Sequence, residues 1–309
     1  MDEPHDDDAI TFCILTLDRT PWLKRCISSI RRYCPTRYAL KILCQGPPDD
    51  ELNEFLSRLD DDVELIRSSV NLGCGRGRQI LSQRVTSVLT MMIDDDMYLT
   101  EGSVSLALRA LRQNESIGAV SMPLYDLHGR MLSLGGKKLT ISNGVILTQE
   151  EGINSEADFI EVDILDGVAL YRTEMAGSSF SWDSQMYFLE DVDRSLQILK
   201  DGRWKQAIVP KGRLIHDRSW LGHSPVYEKK RVDGLVSRRA YKSFQAKWGL
   251  RYPLRFHFYY EVVLPILTLS RCQRLTSYHS RYTDLRSRGR MHAIERRIDT
   301  LSDPLALTV

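Results

Sequence analysis

Long apolar runs are what this 309-residue sequence most conspicuously lacks. Its most hydrophobic late stretch, Val262 to Leu269, is far shorter than the ~20 residues that a membrane-spanning helix needs, and no apolar leader-like segment stands near Met1. A chain threaded through a bilayer is therefore not expected. Paired cysteines are missing too. Cys13, Cys26, Cys34, Cys44, Cys74 and Cys272 form no C-x-x-C motif, which argues against a zinc ribbon or disulfide framework and for buried free thiols in a reducing, cytoplasmic setting. Nor does one sign of charge dominate, since 42 Lys and Arg oppose 41 Asp and Glu. A wholly electrostatic partner such as nucleic acid is not expected, and the scattered basic residues of the last third show no aromatic platform for one. That basic region would still permit peripheral contact at the inner face of a membrane. No internal repeat or low-complexity linker is visible.

What is present is an ordinary globular composition, 42% hydrophobic and 27% charged, enough to bury a sizeable core without staples. The character of the chain changes near Trp220. Residues 1–219 read as one large domain, and 220–309 as a basic, mostly helical region packing on it. Within the first part, short apolar runs alternate with segments of helical periodicity. Ile10 to Leu17 reads as a strand and Trp22 to Tyr33 as a helix. Ala39 to Cys44 and Asp49 to Leu59 repeat the unit, as do Val63 to Arg67 and Arg76 to Ser87, and Val88 to Ile93 is a further strand. Such alternation predicts an α/β fold with a mainly parallel sheet covered on both faces, whose ligands gather at the C-terminal strand ends. After a helix over Glu101 to Gln113 and a strand over Ile117 to Met122, hairpin-like turns are expected at His128-Gly129, Gly135-Gly136 and Asn143-Gly144. Two strand-like pieces follow in Phe159 to Tyr171. A helix over Val192 to Lys200 closes at Asp201-Gly202, and strands return over Trp204 to Pro210 and Arg213 to His216.

Three constellations carry chemistry. In MMIDDDMYLT, the consecutive Asp94, Asp95 and Asp96 directly after an apolar strand repel one another unless something cationic holds them, and a hard ion such as Mg²⁺ or Mn²⁺ would do so. On an extended chain Asp94 and Asp96 face the same side and can share one ligand, with Asp95 opposite. The bland alternative is a solvated acidic turn capping the helix near Glu101. In Asn71-Leu72-Gly73-Cys74-Gly75-Arg76-Gly77-Arg78, glycines permit close backbone approach, and arginines at a helix start favour phosphate. A dinucleotide-binding motif fails here on spacing, because the pattern is G-x-G-x-G and does not follow the first strand. In MYFLEDVD, Met186 to Asp193, aromatic residues lead into carboxylates at a helix start. One of these is explained as a cap, whereas an Asp held against Tyr187, Phe188 and Trp182 would gain the proton affinity a general base requires.

These segments, in this order, make Ile10 to about His216 resemble a family-2 glycosyltransferase of the GT-A fold. ILTLDRTPWLKRCISSI resembles the family's opening strand, loop and helix, which implies nucleotide contacts at Thr16 and Arg19. NLGCGRGRQ resembles the N-x-G-x-x-x-x-R-N segment, placing Asn71, Gly73 and the nucleotide-contacting Arg78, with Gln79 in place of the usual Asn. IDDD matches the metal motif, with Asp94 and Asp95 near the nucleotide and Asp96, Asp94 and His216 as implied metal contacts. VDILDGVALYRTE resembles the acceptor-side segment, so Asp166, Gly167 and Trp182 are expected there. FLEDVDRSLQILKDGRWKQAIVPKGRLIH matches the E-D-x-D segment through to the closing strand, which implies Asp191 as general base and Glu190 as its acceptor-binding neighbour. The chain departs from the family at Gln45, where an acidic residue usually reads the base; an amide can still donate and accept at a pyrimidine edge.

The resemblance implies a metal-dependent transfer, with Mn²⁺ or Mg²⁺, of a sugar from a nucleotide-diphosphate donor to an acceptor hydroxyl on a glycan, a lipid-linked intermediate or a small molecule, with inversion. His223, in the loop Leu221 to Pro225, is a candidate lid residue. Two rivals stand beside this reading. A nucleotidyltransferase would use the same sheet and metal but no base at Asp191, and a catalytically silent module would keep the fold only to bind a sugar nucleotide or glycan.

Overall fold

The computed structural model describes residues 9–17, 19–46, 50–59, 63–150, 156–219, 234–258 and 262. His223, Cys272 and most of the basic C-terminal region lie outside the described residues. The alternating pattern of the first ninety residues folds as expected. β1 (Ile10–Thr16) is buried along its whole length and leads into α1 (Thr20–Tyr33), which starts on Pro21 and ends on Arg31 and Arg32, both favourable placements. β2 (Tyr38–Gln45), α2 (Asp50–Leu56), β3 (Val63–Ser68), α3 (Cys74–Ser82) and β4 (Leu89–Asp94) follow.

Period-two alternation divides these strands between two cores. Ile10, Phe12 and Ile14 of β1 join Ile42, Met91 and Ile93 under α1 and α4 (Ser103–Gln113), while Cys13 and Leu15 join Leu43 and Met92 under α3 and α5 (Glu190–Asp201). The cysteine expectation holds within reach: the five described cysteines are free, and burial pushes the Cys13 thiol up to about 12.

The rest of the chain completes the main sheet and adds two smaller ones. Its strands are β5 (Met97–Leu99), β6 (Ile117–Ser121), β7 (Leu124–Tyr125), β8 (Met131–Ser133), β9 (Gly136–Ser142), β10 (Val145–Gln149), β11 (Ile160–Val162), β12 (Ile164–Leu165), β13 (Ala169–Arg172), β14 (Lys205–Ile208) and β15 (Leu214–His216). The main sheet runs β11-β14-β6-β13-β4-β1-β2-β3. β1 to β4 are mutually parallel wherever they pair, but β13 enters antiparallel to both β4 and β6, so the sheet is mixed at its centre. Two expectations change. Phe159 to Tyr171 supplies parts of three strands, and Gly135-Gly136 is no hairpin turn: Gly135, at φ +84, lies against the Met122 backbone and passes the chain into β9. Asn143-Gly144 does turn β9 into β10, both residues having positive φ.

The described part of the C-terminal region is α6 (Gly234–Trp248) and α7 (Leu254–Phe258). Phe244 of α6 shares a third apolar cluster with Met186, Val192 and Leu196 around the start of α5. Asp193, 1% exposed, anchors this junction: it accepts from Trp248 Nε1 at 2.7 Å, Lys247 Nζ at 2.9 Å and Gln197 Nε2 at 2.8 Å.

Candidate active site

The three aspartates sit where β4 ends, but not on an extended chain. Residues 95 and 96 form a tight turn into β5, so the period-two expectation fails. Asp95 and Asp96 share one guanidinium, and Asp94 is held by another. Arg19 pairs with Asp95 and donates from Nη1 to Asp96 Oδ2 at 2.7 Å, and Thr16 Oγ1 donates to Asp95 Oδ2 at 2.7 Å. Asp95 is fully buried, which pushes its carboxyl up to about 7 against the pull of Arg19. Thr16 and Arg19, expected at the nucleotide, are thus engaged in holding the acidic turn, although both also line the cleft beside it. The aspartates do not cap α4, whose N-terminal flank is Gly102.

β15 brings His216 to this turn. It pairs antiparallel with β5, His216 opposite Met97, and the Asp217 backbone N–H donates to Asp96 O at 2.8 Å. His216 Nε2 consequently lies 3.6 Å from Asp96 Oδ2. One carboxylate and one imidazole at that separation suit an ion such as Mn²⁺. Among the described residues no three His, Cys, Asp or Glu side chains gather with metal-ligand spacing, and Asp94 is bonded to Arg78 instead of standing with this pair.

Arg78 is the other organising cation. It is 2% exposed, donates from Nη2 to Asp94 Oδ1 at 3.1 Å and from Nη1 to Glu190 Oε1 at 2.9 Å, and lies 5.4 Å from the Trp182 ring centroid. The chain passes close over this guanidinium at Gly167, where a Cβ would stand a tight 3.1 Å from Arg78 Nη2. Burial pushes Glu190 up to about 7, outweighing Arg78 and helped by the neighbouring Asp191 charge. Trp182, 2% exposed, is a shelf between two arginines: Arg194 of α5 lies 5.3 Å from its centroid. Arg194 is 1% exposed, its Nε and Nη1 have no hydrogen-bond partner among the described residues, and burial with Arg78 nearby pulls it down to about 10.

The α3 N-terminus docks against the loop before α5. Gly75 N–H donates to Met186 O at 3.1 Å, and any Cβ at Gly73 would penetrate the Tyr187 ring. Tyr187 and Phe188 therefore wall a cleft whose floor is Leu15, Gln45 and Asn71 and whose inner end is Asp94. Gln45 Oε1 accepts from Leu72 N at 2.7 Å, and Asn71 Oδ1 from Gly73 N at 2.9 Å. Leu189, at φ +69, turns the chain from this wall into α5; such a conformation costs about 1 to 2 kcal/mol for a non-glycine residue and is offset by the packing of Leu189 in the third cluster. Asp191 follows, half-buried, its Oδ1 accepting from Val192 N–H at 2.9 Å.

The sequence did not single out the cation that Asp166 binds. Lys137 Nζ donates to Asp166 Oδ1 at 2.9 Å, Ser133 also donates to Asp166, and the Lys137 ammonium feels the Asp191 charge. Asp166 is held below the usual carboxylate range by Lys137 and Ser133 despite its burial. The pair of lysines after Gly135-Gly136 was the available signal, but reading those glycines as a hairpin turn hid it.

Residues 11–143 match the family described as Glycosyl transferase family 2. Among solved structures, the chain is similar to GalNAc-T7, solved with UDP, GalNAc and Mn²⁺, at 12% identity and a TM-score of 0.57, covering 84% of this chain and 58% of that one. It is similar also to S. aureus TarS, at 10% identity and a TM-score of 0.53, covering 82% of this chain and 46% of that one. The chain thus spans about half the length of these two structures, and no curated protein matches it. The fold is GT-A, shared with both.

Proposed function

We propose that this chain is a nucleotide-sugar glycosyltransferase, with the cleft between β1, β2 and α3 taking the nucleotide diphosphate and the β9–β12 side taking the acceptor. The observation that carries the reading is Arg78, one guanidinium bonded at once to Asp94 of the acidic turn and Glu190 of the E-D-x-D segment. The acidic turn and the E-D-x-D segment, the latter 112 residues from Arg78, are thereby joined at one point, as a reaction between two bound substrates requires.

Gln45 and Asn71 offer their side-chain amides to the base and ribose, and Tyr187 and Phe188 exclude water from that end of the cleft. Asp96 and His216 would hold Mn²⁺ or Mg²⁺, which when bound offsets charge on the departing diphosphate. Asp191 accepts the proton of the acceptor hydroxyl as its oxygen attacks the anomeric carbon opposite the leaving group, inverting the configuration. Asp191 suits this role because one of its oxygens is fixed by the Val192 N–H while Glu190 is committed to Arg78. Lys137 and Asp166 orient the acceptor beside it. The site belongs to the cytoplasmic face in this reading, with a glycan, a lipid-linked intermediate or a small molecule as acceptor.

Asp191→Asn tests the assignment, because asparagine preserves size and still accepts from Val192 N–H but cannot take a proton. Release of nucleotide diphosphate from a panel of nucleotide sugars should fall by about 10² to 10⁴, with donor affinity near that of the parent. Near-parental release by the variant would remove Asp191 as the base; a parent that releases pyrophosphate from nucleoside triphosphates but no diphosphate from any nucleotide sugar would favour the nucleotidyltransferase rival, and release of neither would favour the silent module.

A further inference from the structure

From Gly234 to Tyr260 the sequence contains no Asp or Glu but six basic residues, Arg238, Arg239, Lys242, Lys247, Arg251 and Arg255. Within the described part of this segment, α6 buries Ala240, Tyr241 and Phe244 and turns Leu235, Arg239 and Lys242 outward. α7 is fastened to α6 through aromatic rings. Tyr241 lies 6.1 Å from Tyr252 and 5.8 Å from His257, Tyr252 stacks on Phe244 at 6.2 Å, and Tyr252 N donates to Tyr241 Oη at 3.1 Å.

This clamp fixes which way α7 faces. His257 turns in to Tyr241, and Leu254 and Phe258, one helical turn apart, turn out; they are 78% and 54% exposed, and Val262 a further four residues on is 37% exposed. Leu254 is the most exposed large hydrophobic side chain among the described residues. Single exposed apolar residues are unremarkable, but Leu254 and Phe258 at helical spacing on a stretch whose charged residues are all basic are the pattern of an element lying in a lipid headgroup layer. The segment is also tied into the body of the protein, since Arg251 N donates to Gly144 O and Ile146 N to Arg251 O, both at 2.8 Å, extending the β9–β10 hairpin.

We propose that the outer face of α6 and α7 docks on an anionic lipid surface, with Leu254 and Phe258 inserted among the acyl chains and Arg239, Lys242 and Arg251 set against the headgroups. Charge complementarity selects this occupant: a face with no carboxylate in its own sequence repels a second copy of itself and attracts acidic lipid. Each basic residue near such a surface contributes about a fivefold gain in partition, lost as salt screens it. The inference is independent of the transfer chemistry, because it needs neither donor nor acceptor.

The full chain should co-sediment with vesicles of phosphatidylcholine containing about one third phosphatidylserine, and at least tenfold less with phosphatidylcholine alone or in high salt. Leu254→Asp with Phe258→Asp should reduce the binding to acidic vesicles at least tenfold while leaving the melting temperature and nucleotide-dependent thermal shift unchanged. Equal binding to both vesicle types, no binding to either, or undiminished binding by the double variant overturns the proposal. So does a dimer in sedimentation velocity that the double variant dissolves, which would make a second copy the occupant. A failure of sugar transfer with intact vesicle binding would count against the proposed activity and leave the docking face standing.

Discussion

At the scale of single residues, two arginines do the work that the three aspartates seemed to leave to a metal. Arg78 is too deeply buried to be a simple donor contact, because removing it leaves Asp94 and Glu190 facing each other without a cation. Breaking a buried pair in this way costs about 3 to 5 kcal/mol, so Arg78→Ala should lower stability by that order in urea unfolding. Arg78→Lys should also lose donor affinity, since a point charge cannot span both carboxylates. An Arg78→Ala variant as stable as the parent would show that the bridge is not formed. Glu190 gives a pH test. Its carboxyl is raised from 4.5 to about 7, so the folded protein keeps a proton that the unfolded chain releases. Its contribution is complete below pH 4.5 and is lost as pH rises through about 7, by up to ~1.4 kcal/mol per unit of pH in that interval. Asp95, raised in the same direction, adds to the slope, so the comparison with Glu190→Gln isolates Glu190. Thermal melts between pH 5 and 8 should decline less steeply in Glu190→Gln, and parallel curves would place the proton elsewhere. The acidic cluster itself was legible because like charges after an apolar strand demand a partner. Its division between Arg19 and Arg78 was not, because the turn at residues 95 and 96 depends on β5 pairing with β15, more than a hundred residues away.

At the scale of elements, the start of α5 is where the chain spends its strain. Leu189 sits at positive φ and three acids crowd the first turn, where the helix dipole favours negative charge. The three divide the labour: Glu190 faces Arg78, Asp191 acts on the Lys137 charge, and Asp193 holds α6. That last role was illegible in the E-D-x-D motif, since nothing local says that Trp248 and Lys247 return to it from 55 and 54 residues away. Parallel strands β1 to β4 were legible because each carries its own periodicity, whereas β13 between β4 and β6 was not, because its direction is set by the chain's path rather than its residues. Trp248→Phe keeps the ring and removes the N–H that reaches Asp193. It should cost about 1 to 3 kcal/mol and lower turnover more than donor affinity, because the loosened turn carries Asp191 itself but reaches the cleft only through the preceding Tyr187 and Phe188. A variant that loses donor affinity to the same degree as turnover would mean that α6 supports the whole cleft equally.

At the scale of the whole molecule, the acidic turn is already neutralised from within, which sets how the proposed donor and ion would bind. Arg19 occupies the Asp96 oxygen that stands 3.6 Å from His216, so a divalent ion arriving alone must displace a guanidinium and gains only part of its coordination from protein. A nucleotide diphosphate arriving alone meets Arg19 and Arg78 already paired to aspartates. On the proposed reading, an ion held by Asp96 and His216 and a diphosphate facing Arg19 would each supply counter-charge the other lacks. The two should therefore bind with strong mutual dependence, and linkage makes the dependence reciprocal. A ligand at a hundred times its dissociation constant stabilises the folded chain by about 2.7 kcal/mol, which at roughly 2 °C per kcal/mol for a chain of this size is a shift of about 5 °C. Mn²⁺ alone or a nucleoside diphosphate alone should move the melting temperature by no more than about 1 °C, and the two together by about 5 °C. Asp96→Asn should remove the excess over the separate shifts while leaving the fold intact, because Arg19 keeps Asp95. Additive shifts in the parent protein, or an undiminished excess in Asp96→Asn, would show that Asp96 is not where ion and donor become one ligand.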